Sequence, residues 1–440
     1  MRSRFVRLVA VTALLLAGGL PARQGEWLAA QETLPAPAAR RLPPVEEPPH
    51  LTLETLEQLA LTHHPSIMRA AAEVRAAQGD WKQNGLYPNP TFSIGEQQLG
   101  SHGVAEQDGV SWQQEIVTGN KLGLSRETAA RKVAWARQQL AAQQQRVLTD
   151  VRSEFFNVAI GERQRQVTSE LVAIAKRGVE TAEEQNKGDA IGRNDVIEAN
   201  IELYRAKVAA VKGVNRALMA RQRLAAAVGL PEIVTARLEG NLDEIPSDLR
   251  FEETLAKIVA ASPEIAAAQA EIDRAHWALK RAGVQKIPNL TAYGLYNWRD
   301  NGVHGGQPDG ALVLSVPLPI FDRNQGGVQR TLAELAVAER ALNEMELSLR
   351  DRLADSFERY ANASVQVRTY RHDLLPAAAQ ALELTRTAYR DGAVDYNDLL
   401  TSQRTNANAN LEYLEALKDL RNAEMEIRGL LLSDSLGNAK

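Results

Sequence analysis

The feature that most limits how this chain can fold is that it is written twice. His64-Pro65-Ser66-Ile67 returns as Ser262-Pro263-Glu264-Ile265, and Tyr87-Pro88-Asn89-Pro90 returns as Ile287-Pro288-Asn289-Leu290. Further on, Ile116-Val117-Thr118-Gly119-Asn120-Lys121 matches Ile320-Phe321-Asp322-Arg323-Asn324-Gln325, and the turn from Gly188 to Asp195 matches Gly392 to Asp398. The four landmarks keep their order at a nearly constant offset of about 200 residues. Each copy holds two short alternating segments of strand type, then two long helical stretches with coiled-coil spacing. Two copies are too few for a solenoid, so the repeat reads as a duplicated architectural unit.

The strands are expected at about 91–99 and 109–117 in the first copy and at about 290–298 and 310–318 in the second, all alternating with period two. Helices are expected at about 65–86, 121–187 and 194–228, then at 263–287, 324–390 and 396–432. Lys121 to Lys187 contains no proline, so about 67 residues at roughly 1.5 Å each make a rod on the order of 100 Å. Its counterpart is interrupted by Pro376, where a kink or local break is expected. Leu353, Tyr360, Val367 and Leu374 recur every seven residues along it. Ile197, Ile201, Tyr204, Val208, Val211, Asn215, Leu218 and Gln222 alternate steps of four and three, which is a heptad seam. Such helices are too thinly apolar to fold alone. They call for an antiparallel array with the hairpins at one end and the Gly188 and Gly392 turns at the other.

Aromatic residues make up only 5% of the 440, which favours long helices over a thick core. The net charge of -4, without a basic patch, gives no argument for nucleic acid. The absence of cysteine removes disulfides, a thiolate metal site and a lipid-modified N-terminal Cys. Arg2, Arg4 and Arg7 precede the apolar run Leu8 to Leu20, the layout of a secretory signal peptide over residues 1 to about 22, with Ala22 and Ala30 as candidate cleavage sites. Residues 23–50 are a proline-rich linker, 51–230 the first repeat, 231–252 a linker, 253–432 the second repeat and 433–440 a tail.

Beyond the signal peptide no run approaches the roughly 18 apolar residues of a spanning helix, whereas strands of 8 to 10 residues match what a tilted strand needs. On pattern alone a soluble hairpin packed on the helices remains an equal reading. If the strands do cross a membrane, four cannot close a barrel and an open edge is not tolerated in lipid. Several chains must then share one barrel, and the helices close into a second cylinder by the same symmetry.

Over about 51 to 432 the chain resembles the TolC family of outer-membrane efflux proteins. Trp112 to Lys121, Pro317 to Gly327, and Tyr389-Arg390-Asp391-Gly392 followed by Tyr396 to Gln403 are similar to its CzcC-like heavy-metal branch. The resemblance implies a mainly α fold with a β-barrel portion: long antiparallel helices in a periplasmic α-barrel, and four strands per chain in a twelve-stranded outer-membrane barrel built by a homotrimer. It also implies docking to a periplasmic adaptor and an inner-membrane pump of the RND type, passive export with heavy-metal cations as the favoured cargo, and no enzymatic activity or cofactor. A drug, solvent or polypeptide duct of the same build is the alternative, and a soluble periplasmic coiled-coil scaffold is the alternative of another class.

No catalytic constellation assembles from the sequence. Lys187-Gly188-Asp189 and Asp391-Gly392-Ala393 read as helix ends in which glycine supplies the left-handed C-cap, with Asn194-Asp195 and Asn397-Asp398 at the following N-caps. In a symmetric oligomer Asp189, Asp195, Asp391, Asp395 and Asp398 would form acidic rings that attract cations. The same turns, with Gly188, Asn194, Gly392, Tyr396, Asn397 and Leu400, are the candidate adaptor-docking site. Trp112, Tyr293, Tyr296 and Trp298 fit an interfacial aromatic girdle. His63-His64 and the loop residues His102 and His304 lack carboxylates or thiolates at ligand spacing, so no metal site is expected.

Overall fold

The computed structural model describes residues 50–99, 105–189, 191–235, 237–239, 248–300 and 307–437. The expected signal peptide, residues 23–49 of the proline-rich linker, and His102 and His304 lie outside the described residues, whereas His50, the last residue of that linker, begins a strand. The first half runs β1 (His50–Thr52), α1 (Leu53–His63), α2 (Pro65–Gln83), β2 (Thr91–Leu99), β3 (Ala105–Ile116), α3 (Lys121–Lys187), α4 (Arg193–Val228), a 3-10 turn (Pro231–Thr235) and β4 (Arg237–Glu239). The second half runs α5 (Phe251–Ala261), α6 (Pro263–Gly283), β5 (Leu290–Asp300), β6 (Asp309–Ser315), α7 (Gln325–Thr369), a π-helical turn (Tyr370–Leu374), α8 (Leu375–Arg390) and α9 (Tyr396–Arg428).

Both long rods start with the same device. Asn120 and Asn324 sit in the left-handed conformation, with φ 53° and 60°. Each carboxamide lies over the glycine three residues on, where a Cβ at Gly123 or Gly327 would stand 2.3 Å or 2.2 Å from the asparagine Oδ1. Any larger residue there collides with the asparagine, so the Asn-x-x-Gly spacing sets the bend from sheet to helix. The rods then diverge. α3 is continuous over 67 residues, whereas Pro376 lies in the first turn of α8. A proline ring clashes with the carbonyl four residues back and offers no N–H. The chain answers with the π turn just before it, so the expected break is a widened turn and not a kink.

The helices form a layer. Toward the sheet its order is α2, α3, α6, α7; toward the distal turns it is α4, α3, α9, α8. α4 and α2 follow one line: left-handed Gly229, which closes α4, abuts the start of α2, where a Cβ would meet His64 Cα at 3.1 Å. At mid-length β1 pairs in parallel with β4, while α1 packs on α3 and α5 on α7. The two largest apolar clusters sit at this belt. Leu56, Val147, Val151 and Val228 anchor the first, and Ile258, Leu349, Leu353 and Leu420 the second. Each such side chain contributes about 1.5–3 kcal/mol on leaving water.

α4 resolves the heptad seam in an unexpected direction. Its contact with α3 is made by small residues, Gly161 facing Ala217 and Gly213 facing Thr168, which let the two backbones approach. The large apolar row points away: Ile197, Ile201, Tyr204, Val208, Val211 and Leu218 are 44% to 61% exposed. On the second rod Leu353, Tyr360 and Val367 are buried within the chain. The row on α4 is therefore left uncovered by the rest of the described chain.

Candidate functional site: a two-faced sheet and the distal turns

β2, β3, β5 and β6 form one antiparallel sheet in that order. Residues paired across strands share a face. Phe92, Trp112, Gly294 and Leu312 align on one face, followed by Ile94, Val110, Tyr296 and Gly310. The opposite face aligns Thr91, Gln113, Tyr293 and Val313, and then Ser93, Ser111, Leu295 and Ala311. Glu115, Thr291 and Ser315 add to its polar character. The apolar face is uncovered, with Phe92, Ile94 and Leu312 at 74%, 77% and 79% exposure. The strands pack chiefly on one another and not on a helix face, which is the arrangement of a barrel wall with a lipid side and a water side.

This register corrects the expected girdle. Trp112 and Tyr296 lie on the apolar face, and the Trp112 ring covers Gly294, where a Cβ would stand 2.2 Å from Nε1. Tyr293 pairs with Gln113 on the polar face. Side chains alternate along a strand, so two residues three apart cannot share a face. Trp298 is the extra residue at the bulge opposite Asp108 and Gly109. The outer edges of β2 and β6 have no strand beside them among the described residues.

At the other end the two repeats meet. Tyr396 and Leu400 of α9 are buried with Val179 and Ala182 of α3 and Ala199 of α4. The Tyr389 and Tyr396 rings touch edge to face at 6.3 Å, and Gln185 donates to the Tyr389 hydroxyl at 2.9 Å. Gly178 is obligatory here, because a Cβ would fall 1.9 Å from the Tyr396 hydroxyl.

The caps differ from the expected ones. Gly392 is left-handed, φ 74°, and closes α8 in a Schellman motif, with Gly392 N donating to Tyr389 O and Ala393 N to Ala388 O. Gly188 is not left-handed, with φ -90°; Asp189 takes that conformation at φ 56°, as a short polar residue can. The N-caps are Gly192 and Asp395 in place of Asn194-Asp195 and Asn397-Asp398. Asp195 accepts Gly192 N–H at 2.9 Å, and Asp395 accepts Asp398 N–H at 2.9 Å. Two of the five candidate ring carboxylates are thus occupied as caps, while Asp189, Asp391 and Asp398 are exposed. Gly188, Asn194, Gly392 and Asn397 are on the surface, whereas Tyr396 and Leu400 support it from beneath.

Two ion pairs across α3 had no trace in the sequence. Arg216 of α4 reaches Glu415 of α9 at 2.6 Å, and Arg404 of α9 reaches Glu202 of α4 at 3.5 Å. Gln164 of α3 donates to Glu415 beneath the first pair at 3.2 Å. Burial pushes the Glu415 carboxyl up, but Lys418 and Arg216 outweigh it and hold it below its ordinary value. Partners 199 residues apart leave no local pattern to read.

Among the described residues no three His, Asp or Glu side chains converge as a metal site. His63 bonds within its own helix. His64 is fully buried and caps α2, its Nδ1 accepting Ser66 N–H at 3.3 Å. No helix among the described residues is long and apolar enough to cross a membrane.

The chain is 28% identical over 385 residues to the cobalt-zinc-cadmium resistance protein CzcC of Cupriavidus metallidurans, covering 87% of this chain and 90% of that protein. It is 25% identical over 319 residues to the nickel-cobalt-cadmium resistance protein NccC of Alcaligenes xylosoxydans xylosoxydans, covering 69% and 68%. The crystal structure of the outer membrane protein VceC from Vibrio cholerae shares the fold, with a TM-score of 0.71 at 18% identity, over 87% of this chain and 96% of that one. The family model described as outer membrane efflux protein matches residues 56–230 and 254–431, which are the two repeats. A duplicated helical layer ending in a two-faced sheet and matched along both copies identifies the chain as a member of the outer membrane efflux protein family, a transport component of the outer membrane.

Proposed function

We propose that the chain forms a homotrimeric duct which passively carries metal cations across the outer membrane, receiving them from a periplasmic adaptor and an RND-type inner-membrane pump. The observation that carries the duct is the sheet, apolar on one face, polar on the other and, among the described residues, without a neighbouring strand at either edge. Three copies supply the twelve strands of a closed barrel with a lumen. The uncovered row on α4 lies on the corresponding edge of the helical layer. The metal cargo is supported by the similarity to proteins named for cobalt, zinc, cadmium and nickel resistance. Energy belongs to the pump, so the duct needs a route and an entrance but no catalytic group.

At the entrance, Asp189, Asp391 and Asp398 are the carboxylates free to act as symmetric rings, and rings of carboxylates favour cations. Gly188, Asn194, Gly392 and Asn397 form the surface offered to the adaptor. Deleting the gene is expected to raise cellular cobalt, zinc or cadmium and sensitise the cells to them. Unchanged metal tolerance with a gain in drug or solvent sensitivity would replace the cargo and keep the duct. In planar bilayers Asp→Asn at the three ring positions should lower cation over anion preference, and an unaltered reversal potential would remove the rings from the entrance.

A further inference from the structure

The helices carry opposite charge at their two ends. Close to the sheet, residues 121–132 of α3 hold Lys121, Arg126, Arg131 and Lys132 against Glu127 alone. Residues 273–286, in and just after α6, hold Arg274, Lys280, Arg281 and Lys286 against Asp273 alone. Around the first distal turn the balance reverses, with six acidic residues against two basic ones between 180 and 198. At the sheet end the positive charge lines a cleft of about 480 Å³ between α2, α3, α6 and α7. Arg274 and Arg281 reach it from α6 and Arg330 from α7, while Ser125 closes its α3 side. Glu334 is the one carboxylate among the described residues of its wall.

The three guanidinium groups are unequally engaged. Arg274 is gripped by Glu271, with Nε at 2.8 Å and Nη2 at 2.5 Å from the carboxylate. Arg330 meets Glu334 at 3.8 Å with both side chains half or more exposed, a contact that holds little in water. Arg281 is half-buried and has neutral partners: Nε donates to the Ser125 hydroxyl oxygen at 2.9 Å and Nη1 to Gln285 at 2.6 Å. Burial alone holds its guanidinium below the ordinary value, with no carboxylate pulling it back. Its charge reaches Lys121, whose ammonium is pushed down by burial first and by Arg281 second, against Glu115. Arg281 Nη2 carries neither of these bonds, and Ser125, having accepted one, keeps its own proton to donate. A partly desolvated arginine steadied by neutral oxygens is a fork prepared for an oxyanion.

We infer that this cleft binds a phosphate group, with Arg281 and Arg330 as its cationic contacts and the Ser125 hydroxyl as a neutral donor. Donors from α3, α6 and α7 approach from three directions, which suits a tetrahedral oxyanion better than a planar carboxylate. Arg330 exchanges its loose contact with Glu334 for the ligand, and Arg274 stays with Glu271. The cleft has the size of a small-molecule site and is larger than a bare inorganic anion needs. Ser125 lies about 6 Å along α3 from Lys121, within the depth of the polar headgroups that border the hydrocarbon of a bilayer. Size and depth together favour the phosphodiester headgroup of an anionic phospholipid as the source, with inorganic phosphate as the second source. The headgroup rests on the sheet's lying in the membrane; the phosphate chemistry does not.

Full-length protein in a mild, phosphate-free detergent can be titrated with dioleoylphosphatidylglycerol, with dioleoylglycerol and with inorganic phosphate, binding being followed by native mass spectrometry and by melting temperature. Phosphatidylglycerol is expected to bind and dioleoylglycerol, which has the same tails without the phosphate, is not. Arg281→Gln should weaken binding at least about tenfold, as the loss of a charge-assisted bond does. Arg330→Gln, at an exposed position that tolerates the change, should weaken it about threefold and keeps the test decisive if the Arg281 variant misfolds. Arg323→Gln, exposed at the same end but off the cleft, should leave binding unchanged. Arginine-dependent binding of inorganic phosphate without phosphatidylglycerol would keep the site and make its ligand a soluble phosphate. Equal weakening by Arg323→Gln would overturn the cleft in favour of a diffuse basic surface, and binding of neither probe would overturn it outright. Protein absent from the outer-membrane fraction would overturn the membrane reading of the sheet and leave phosphate binding in detergent standing.

Discussion

α3 is flanked by α2 and α4 on one side and by α6 and α9 on the other, and it buries side chains from Lys121 to Ala182. α7 and α8 occupy the equivalent place in the second repeat but lie at the free edge of the layer. α8 buries Ala378 alone, and Val337, Leu347, Val365 and Leu384 of this rod are 65% to 70% exposed. Two copies of one pattern differ in what surrounds them: one has neighbours from its own chain on both flanks, and the other, among the described residues, on one flank only. The central rod uses glycine, alanine and hydrogen-bonded polar residues where backbones come close. The edge rod keeps large apolar residues and tolerates a π turn.

The most severe way to break the comparison is to cut what ties the two rods together. Glu264, at the start of α6, accepts Arg146 of α3 at 3.0 Å and Arg352 of α7 at 2.5 Å. Its side chain is 14% exposed, so Glu264→Ala leaves two half-buried guanidinium groups facing each other. Removing one partner from such a cluster is strongly destabilising, here about 2–4 kcal/mol after allowance for partial exposure. Denaturant melts of the detergent-solubilised protein should show it, with Glu264→Gln less affected. Equal effects would mean that packing, not charge, joins the rods. A smaller loss, about 1–3 kcal/mol from overpacking, is expected for Gly178→Ala, which drives the Tyr396 ring from its seat on α3. Because that seat holds the distal turns together, faster proteolysis near residues 391–395 should accompany it.

Next in size is a pH dependence confined to the first repeat. His64 and Ser262 cap the two proline-opened helices at equivalent positions. Burial depresses the His64 pKa, and the nearby Asp150 carboxylate opposes this in part. A depressed histidine is neutral in the fold, so its stabilisation is complete above the ordinary value of about 6.5 and is lost as pH falls below that toward the folded pKa. The melting temperature should fall between pH 7 and 5, and His64→Ser, which copies Ser262, should flatten that slope. An identical slope in the variant would move the dependence to other groups.

Much of this architecture was legible because its signals are local. An absence of proline from Lys121 to Lys187 sets a helix length, and period-two alternation marks strands. Strand parity even contained the separation of Tyr293 from Tyr296. The seam on α4 was visible as a row of residues, but its direction was not, since Ile197 to Leu218 would read the same facing either side. The caps misled because glycine and aspartate both adopt left-handed backbone, and choosing between Gly188 and Asp189 takes the path of the next turn. Arg216 with Glu415 was out of reach, because it joins two repeats across a third helix.

The smallest expected effect bears most directly on why the rods differ. Asn120 to Gly188 and Asn324 to Gly392 are equal separations, 188 − 120 = 392 − 324 = 68, so the π turn of the edge rod accommodates no inserted residue. If Pro376 alone causes it, Pro376→Ala restores an N–H able to bond to the His372 carbonyl, and the turn should close to α-helix. The change in stability should stay within about 1 kcal/mol, because the π turn already relieves most of the proline clash. Amide exchange in residues 372–376 is expected to slow. Exchange that stays fast would place the cause in the open flank of the rod, and the π turn should then tighten only when a neighbouring chain covers it.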